Sequence, residues 1–114
     1  MDNNWIIYGA SGYTANLIIQ KAVKMGMSPI LAGRNRSKIS SVAEKYGLKY
    51  KIFEVNDTNV IQANIENSKL IFNTSSNYKY SAEPIINACL ASGCHYLDLC
   101  GEIAVIKNLS LIHI

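Results

Sequence analysis

The sequence predicts a doubly wound α/β domain, a parallel sheet in the strand order 3-2-1-4-5 with helices on both faces. Three observations carry this expectation. An apolar run from Trp5 to Tyr8 leads into a turn punctuated by Gly9 and Gly12 and then into an amphipathic helix. Strand-like and helical patterns alternate along the chain at intervals of about 20 to 25 residues, the spacing that right-handed βαβ crossovers require. Hydrophobic residues make up 49% of the chain and charged residues only 17%, which suits a sheet buried on both faces.

The elements follow in order. Gly9 lets the chain turn sharply at the end of the first strand, and Gly12 lets the backbone come close to a bound anion. Ala15, Ile18, Ile19, Ala22 and Val23 then recur at helical spacing, with Gly26 expected as the C-cap. Residues 29–32 read as the second strand. Gly33, Arg34 and Asn35 form the loop after it, and Asn35 or Ser37 is available to cap the next helix. In that helix Ile39, Val42, Ala43 and Tyr46 make one face, and Gly47 ends it. Residues 50–55 are expected as the third strand, before a polar turn at Asn56, Asp57 and Thr58 and a weaker helix over 60–65. The fourth strand is 70–73. Pro84 is expected in the first turn of a helix reaching Ser92, where a missing N–H is harmless. Gly93 ends that helix, 95–99 form the fifth strand, and a further helix is expected from Glu102. Residues 1–108 thus read as one domain and 109–114 as a truncated or non-native tail.

Composition excludes several classes of function. A net charge of +3 with scattered basic residues lacks the concentrated basic face of a nucleic-acid binder. No apolar run reaches the length of a transmembrane segment, and Met1-Asp2-Asn3-Asn4 has neither the basic nor the apolar part of a signal peptide. Cys89, Cys94 and Cys100 are odd in number and lack metal-ligand spacing, so reduced thiols and a cytoplasmic location are expected, with no metal.

The glycine turn carries the chemistry. Gly9, Gly12 and Ala15 follow the G-x-x-G-x-x-A variant of a dinucleotide fingerprint, in which the third small residue packs the helix against the strand. The N–H groups that begin the helix, around Ser11, Gly12, Tyr13 and Thr14, would face a pyrophosphate. At the end of the second strand an NAD-binding domain places Asp or Glu to meet the ribose 2′-OH. Arg34 stands there instead, and a guanidinium holds a 2′-phosphate that a carboxylate would repel. NADP is therefore the expected cofactor, with Asn35 and Arg36 assisting. Asn56 and Asp57 either meet the adenine amino group or cap the next helix. Asn73, Thr74 and Ser75 either face the nicotinamide ribose or serve as ordinary loop residues.

Taken together, these segments resemble the NADP-binding domain of the saccharopine dehydrogenase family, in particular its saccharopine dehydrogenase-like oxidoreductase and trans-acting enoyl reductase branch. The carrying segments are Gly-Ala-Ser-Gly-Tyr-Thr at 9–14, Leu-Ala-Gly-Arg-Asn at 31–35, Glu-Pro at 83–84 and His-Tyr-Leu-Asp-Leu-Cys-Gly-Glu at 95–102. The resemblance implies a Rossmann-like domain that binds NADP, followed in relatives by a substrate and dimerisation domain that is expected to be absent here. It also implies hydride transfer to an imine or enoyl substrate. Two departures stand out: Ala15 where relatives show Gly, and Ser75-Ser76-Asn77 where they resemble Ala-Gly-Pro before an aromatic residue, here Tyr78.

No catalytic residue is assigned. The chain has no Tyr-x-x-x-Lys pair, His95 and Cys100 read first as structural residues, and Tyr78 and Glu102 either contact substrate or pack locally. Two functions remain open, the cofactor half of an NADP-dependent oxidoreductase acting on a small molecule and a non-catalytic NADP-sensing module. Apolar surface left without a partner domain makes a homo-oligomer a further expectation.

Overall fold

The computed structural model describes residues 5–75, 78–98, 103–107 and 110–113. Its elements are β1 (Trp5–Tyr8), α1 (Tyr13–Lys24), β2 (Ile30–Gly33), α2 (Arg36–Tyr46), β3 (Tyr50–Ile52), α3 (Thr58–Ile65), β4 (Leu70–Asn73), α4 (Tyr78–Ser92), β5 (His95–Asp98), β6 (Ile103–Lys107) and β7 (Ser110–His113). The first five strands are parallel and lie in the order β3-β2-β1-β4-β5, as the alternating pattern predicts. The order reverses between β1 and β4, so the loops after these strands flank a crevice at the carboxyl edge of the sheet.

Two cores cover the sheet. Ile7 and Leu31 face α1 and α2 and pack with Ala15, Ile19, Ile39 and Ala43. On the other face Ile6, Tyr8, Ile71 and Tyr96 pack with Ile61 and Ile65 of α3 and Ile85, Ala88 and Cys89 of α4. Alternate residues of β1 thus serve opposite cores, the pattern of a parallel strand buried on both sides. Ala15 is buried in the first core, in the close helix-strand packing expected of its small side chain.

The ends of α2 and the start of α3 carry the capping residues their sequences offer. Asn35 caps α2 by accepting from the Lys38 N–H at 3.2 Å, and Gly47 ends that helix in the left-handed region at φ 67. Asp57 caps α3 by accepting from the Asn59 N–H at 2.9 Å. A short helix with one side-chain cap depends on it, so Asp57→Ala should cost about 1 kcal/mol, seen as a lower urea midpoint with an unchanged denaturant slope.

Several boundaries differ from expectation. The C-cap of α1 is Met25, with Gly26 the residue beyond it. β3 stops at Ile52, although Phe53 still donates to the Gly33 carbonyl at 3.0 Å before the chain turns away. α4 begins at Tyr78, so Pro84 lies inside the helix rather than in its first turn. The proline removes one helical hydrogen bond there, and burial of Ile85, Ala88 and Cys89 holds the helix against the sheet despite that loss.

The helix expected from Glu102 is replaced by a strand. β6 pairs antiparallel with β5, and β7 pairs antiparallel with β6, extending the sheet to seven strands. The run Ile103-Ala104-Val105-Ile106 is rich in β-branched residues, which favour a pleated surface, and the open edge of β5 gives it a partner. Leu99, Cys100 and Glu102 lie outside the described residues, as do Ser76 and Asn77.

Candidate cofactor site

The glycine turn is clamped between two strands. The N–H groups of Gly9 and Ala10 both donate to the Ala32 carbonyl of β2, at 2.8 and 3.1 Å. From the other side the Thr74 N–H donates to the Tyr8 carbonyl at 2.9 Å, and the Thr74 hydroxyl reaches the same carbonyl at 2.7 Å and that of Gly9 at 3.1 Å. The register explains this convergence: Tyr8 lies beside Asn73, and Asn73 beside Asp98.

The two glycines serve different ends. Gly9 has φ +81, and a Cβ there would stand 2.9 Å from the Ser75 nitrogen, so the fold itself requires glycine. Gly12 has φ −78, open to any residue, and a Cβ there would meet only the Gly9 oxygen at 3.6 Å. Among the described residues nothing excludes a side chain at Gly12. Its small size leaves space on the outer side of the turn, where an incoming group approaches.

That space adjoins unpaired donors. The first helical bond of α1 is Asn16 N–H to the Gly12 carbonyl, so the N–H groups of Tyr13, Thr14 and Ala15 precede the ladder and have no partner within it. Gly12 offers no side-chain cap, and the first turn holds no acidic residue. Ser11, Gly12, Tyr13 and Thr14 are all exposed. This donor set, with the positive end of the helix dipole, fits the pyrophosphate of a dinucleotide.

Arg34 lies just beyond β2, exposed, with Arg36 and Lys38 in the first turn of α2. Cations at a helix N-terminus oppose the dipole, so this cluster gains most when an anion sits among the three. The Asn35 carbonyl oxygen is already engaged as a cap by Lys38 N–H and the Ser37 hydroxyl, which leaves its amide N–H group to meet a ligand. Burial raises the Tyr8 phenol above its ordinary pKa, Arg34 pulls it back and Glu54 adds to the rise. Both side chains therefore act on the end of β1. Asn56 is exposed on the loop beyond β3, and Asp57 caps α3.

Asn73, Thr74 and Ser75 come together against Gly9. Asn73 is fully buried, and its side-chain oxygen accepts from the Ser75 N–H at 3.1 Å. Two residues that sequence reasoning missed complete this cluster. The Asn73 amide donates to the Tyr96 hydroxyl at 3.1 Å, and that hydroxyl donates to the Asp98 carboxylate at 2.8 Å. The available signal was an aspartate two residues from a tyrosine in a strand otherwise bound for the core.

Burial, with Asp98 assisting, pushes the Tyr96 phenol well above its ordinary value of 10. A folded-state pKa above the unfolded one gives stability that is present below pH 10 and lost as pH rises further. Unfolding free energy should therefore fall above pH 10 by about 1.4 kcal/mol per pH unit for each such tyrosine. Tyr8 shifts the same way, so Tyr96→Phe should flatten this alkaline slope without removing it, as denaturant titrations from pH 9 to 11 would record.

His95 lies elsewhere. It begins β5 beside Leu70, at the amino edge of the sheet, and its carbonyl accepts from the thiols of Cys89 and Cys94 at 3.9 and 3.6 Å. The neighbouring Cys94 thiol, then burial, raises the Cys89 pKa. Among the described residues no group of His, Cys, Asp and Glu can hold a metal, and no helix is long and apolar enough to cross a membrane. A shallow apolar groove of about 340 Å³ lies away from the sheet's carboxyl edge, lined by Trp5, Leu17, Met25 and Met27 among others.

Strand order 3-2-1-4-5 with a glycine turn at the reversal defines a Rossmann-like α/β domain. Residues 5–110 match the family of saccharopine dehydrogenase NADP binding domains, and the chain belongs to that family; its cofactor is NADP. A saccharopine dehydrogenase-like oxidoreductase of Arabidopsis thaliana, named as mitochondrial, is 27% identical over 85% of this chain and 25% of its own length. A Mycobacterium tuberculosis protein named as a trans-acting enoyl reductase is 26% identical over 90% of the chain and 26% of its own. The chain thus spans about a quarter of the curated relatives it matches. Among solved structures, apo saccharopine dehydrogenase (L-Glu forming) from Saccharomyces cerevisiae superposes with a TM-score of 0.75 at 14% identity, over 85% of this chain and 21% of that one. An Escherichia coli NADPH-dependent quinone oxidoreductase complexed with NADPH gives 0.68 at 21% identity, over 79% and 34%.

Proposed function

We propose that this domain holds NADP(H) across the carboxyl edge of its sheet as the cofactor half of a reductase that delivers hydride to an imine or an activated alkene. The observation that carries the reading is the uncapped start of α1 beside Gly12, with Arg34 where an NAD-selective domain would place a carboxylate. Tyr13, Thr14 and Ala15 donate N–H groups to the pyrophosphate, and Ser11 adds its hydroxyl. Arg34 pairs with the 2′-phosphate, with Asn35 and Arg36 beside it. Asn56 lies toward the adenine, and Asn73, Thr74 and Ser75 line the nicotinamide ribose.

The cofactor supplies the hydride; the chain binds and orients it. Substrate groups come from a further domain, a reading supported by the greater length of the relatives, and the name of the mycobacterial relative supports an enoyl substrate. The free, buried thiols of Cys89 and Cys94 support a reducing, cytoplasmic setting. Turnover of enoyl and imine substrates by the domain joined to a relative's remaining sequence tests the reductase reading. NADPH binding without turnover in that fusion would favour the non-catalytic sensing module instead, a reading supported by the departure at Ser75-Ser76-Asn77.

A further inference from the structure

Asn73 presents an amide that fits two ways, with its oxygen or its nitrogen toward Ser75. The neighbours decide between them. A carboxylate only accepts, so the Tyr96 hydroxyl spends its proton on Asp98 at 2.8 Å. The lone pairs of that hydroxyl then face the Asn73 nitrogen at 3.1 Å, which turns the Asn73 oxygen to the Ser75 N–H at 3.1 Å. All donors in this chain point the same way, from Ser75 to Asp98. Asn73 and Tyr96 are fully buried and Asp98 is 3% exposed, so no solvent competes for these bonds.

The far end of the chain of bonds matters because of where Ser75 sits. Its nitrogen is the atom a Cβ on Gly9 would strike at 2.9 Å, so the height of this loop sets the width of the crevice beside the glycine turn. We infer that Asp98 and Tyr96 are positioning residues for the cofactor: they fix the Asn73 amide, and through it hold the Ser75 loop at the height that admits the nicotinamide half of NADP(H). This rests on the nucleotide reading proposed above, and it makes β5 a part of the cofactor site without any contact of its own.

The relay predicts a split between the two halves of the cofactor. Asp98→Asn keeps size but lets the side chain donate, so the direction of the bonds is no longer imposed. Its NADPH Kd should rise about tenfold, the equivalent of 1.4 kcal/mol, while its Kd for adenosine 2′,5′-bisphosphate, which stops short of Ser75, stays within about twofold. Tyr96→Phe, which removes the central hydroxyl, should show the same split and faster hydrogen exchange of the Ser75 amide in the ligand-free chain. Equal weakening of both ligands, or unchanged NADPH affinity and Ser75 exchange, would overturn the relay while leaving the nucleotide reading intact. Failure of the unmodified chain to bind either ligand would overturn both.

Discussion

Gly9→Ala should abolish measurable NADPH binding and cost the fold several kcal/mol. An alanine at φ +81 is strained by about 1 to 2 kcal/mol from backbone conformation alone. Its Cβ would also stand 2.9 and 3.0 Å from the nitrogen and Cα of Ser75 and 3.2 Å from the carbonyl carbon of Thr74. These are backbone atoms, held down by the bonds from Thr74 to the Tyr8 and Gly9 carbonyls. Relief requires breaking that clamp, which also holds the crevice open. Gly12→Ala is the informative contrast. With φ −78 and only the Gly9 oxygen nearby, at 3.6 Å, it should leave the urea midpoint almost unchanged yet weaken NADPH binding, because its methyl group projects into the space an incoming pyrophosphate needs. Denaturation and titration of both variants separate the glycine the fold requires from the glycine the ligand requires.

Arg34→Glu should invert the cofactor preference. Each charge-assisted hydrogen bond to the 2′-phosphate contributes about 1.5 to 3 kcal/mol, roughly 10- to 150-fold in affinity. A carboxylate at that position loses these bonds, adds repulsion toward the phosphate and offers an acceptor to a ribose 2′-OH. NADPH affinity should therefore fall by at least about a hundredfold, while NADH affinity holds or improves. Arg34 is exposed, so the folding midpoint should barely move, and the effect should shrink as salt is raised. Titrations at two ionic strengths would record it.

The parts of this molecule written in local patterns were legible from the residues alone. The parallel sheet and its order follow from alternating strands and helices, and Gly47 follows as a helix end from its conformational freedom, while the caps at Asn35 and Asp57 were each one of two readings that the structure decided. Failures came where tertiary partners decide. Pro84 signals a helix start, yet α4 extends to Tyr78 because the face carrying Ile85 and Ala88 is buried against the sheet. Residues 103–107 have no strong turn or cap signal, and the open edge of β5 makes them a strand. Within the candidate site, the sharp turn at Gly9 and the anion approach at Gly12 were readable as separate roles, but the contact that makes glycine obligatory at Gly9 appears only when Ser75 is seen against it. Tyr96 and Asp98 escaped notice because their role depends on register: Asn73 lies opposite Asp98, and no sequence spacing announces that.

The most direct test is calorimetric titration of the unmodified chain with NADPH and with NADH, repeated on Arg34→Ala. A Kd for NADPH at least about tenfold below that for NADH, with the difference lost in the variant, is the predicted result. Equal affinities for the two nucleotides in the unmodified chain, or binding of neither by a chain that melts cooperatively, would contradict the cofactor site described above.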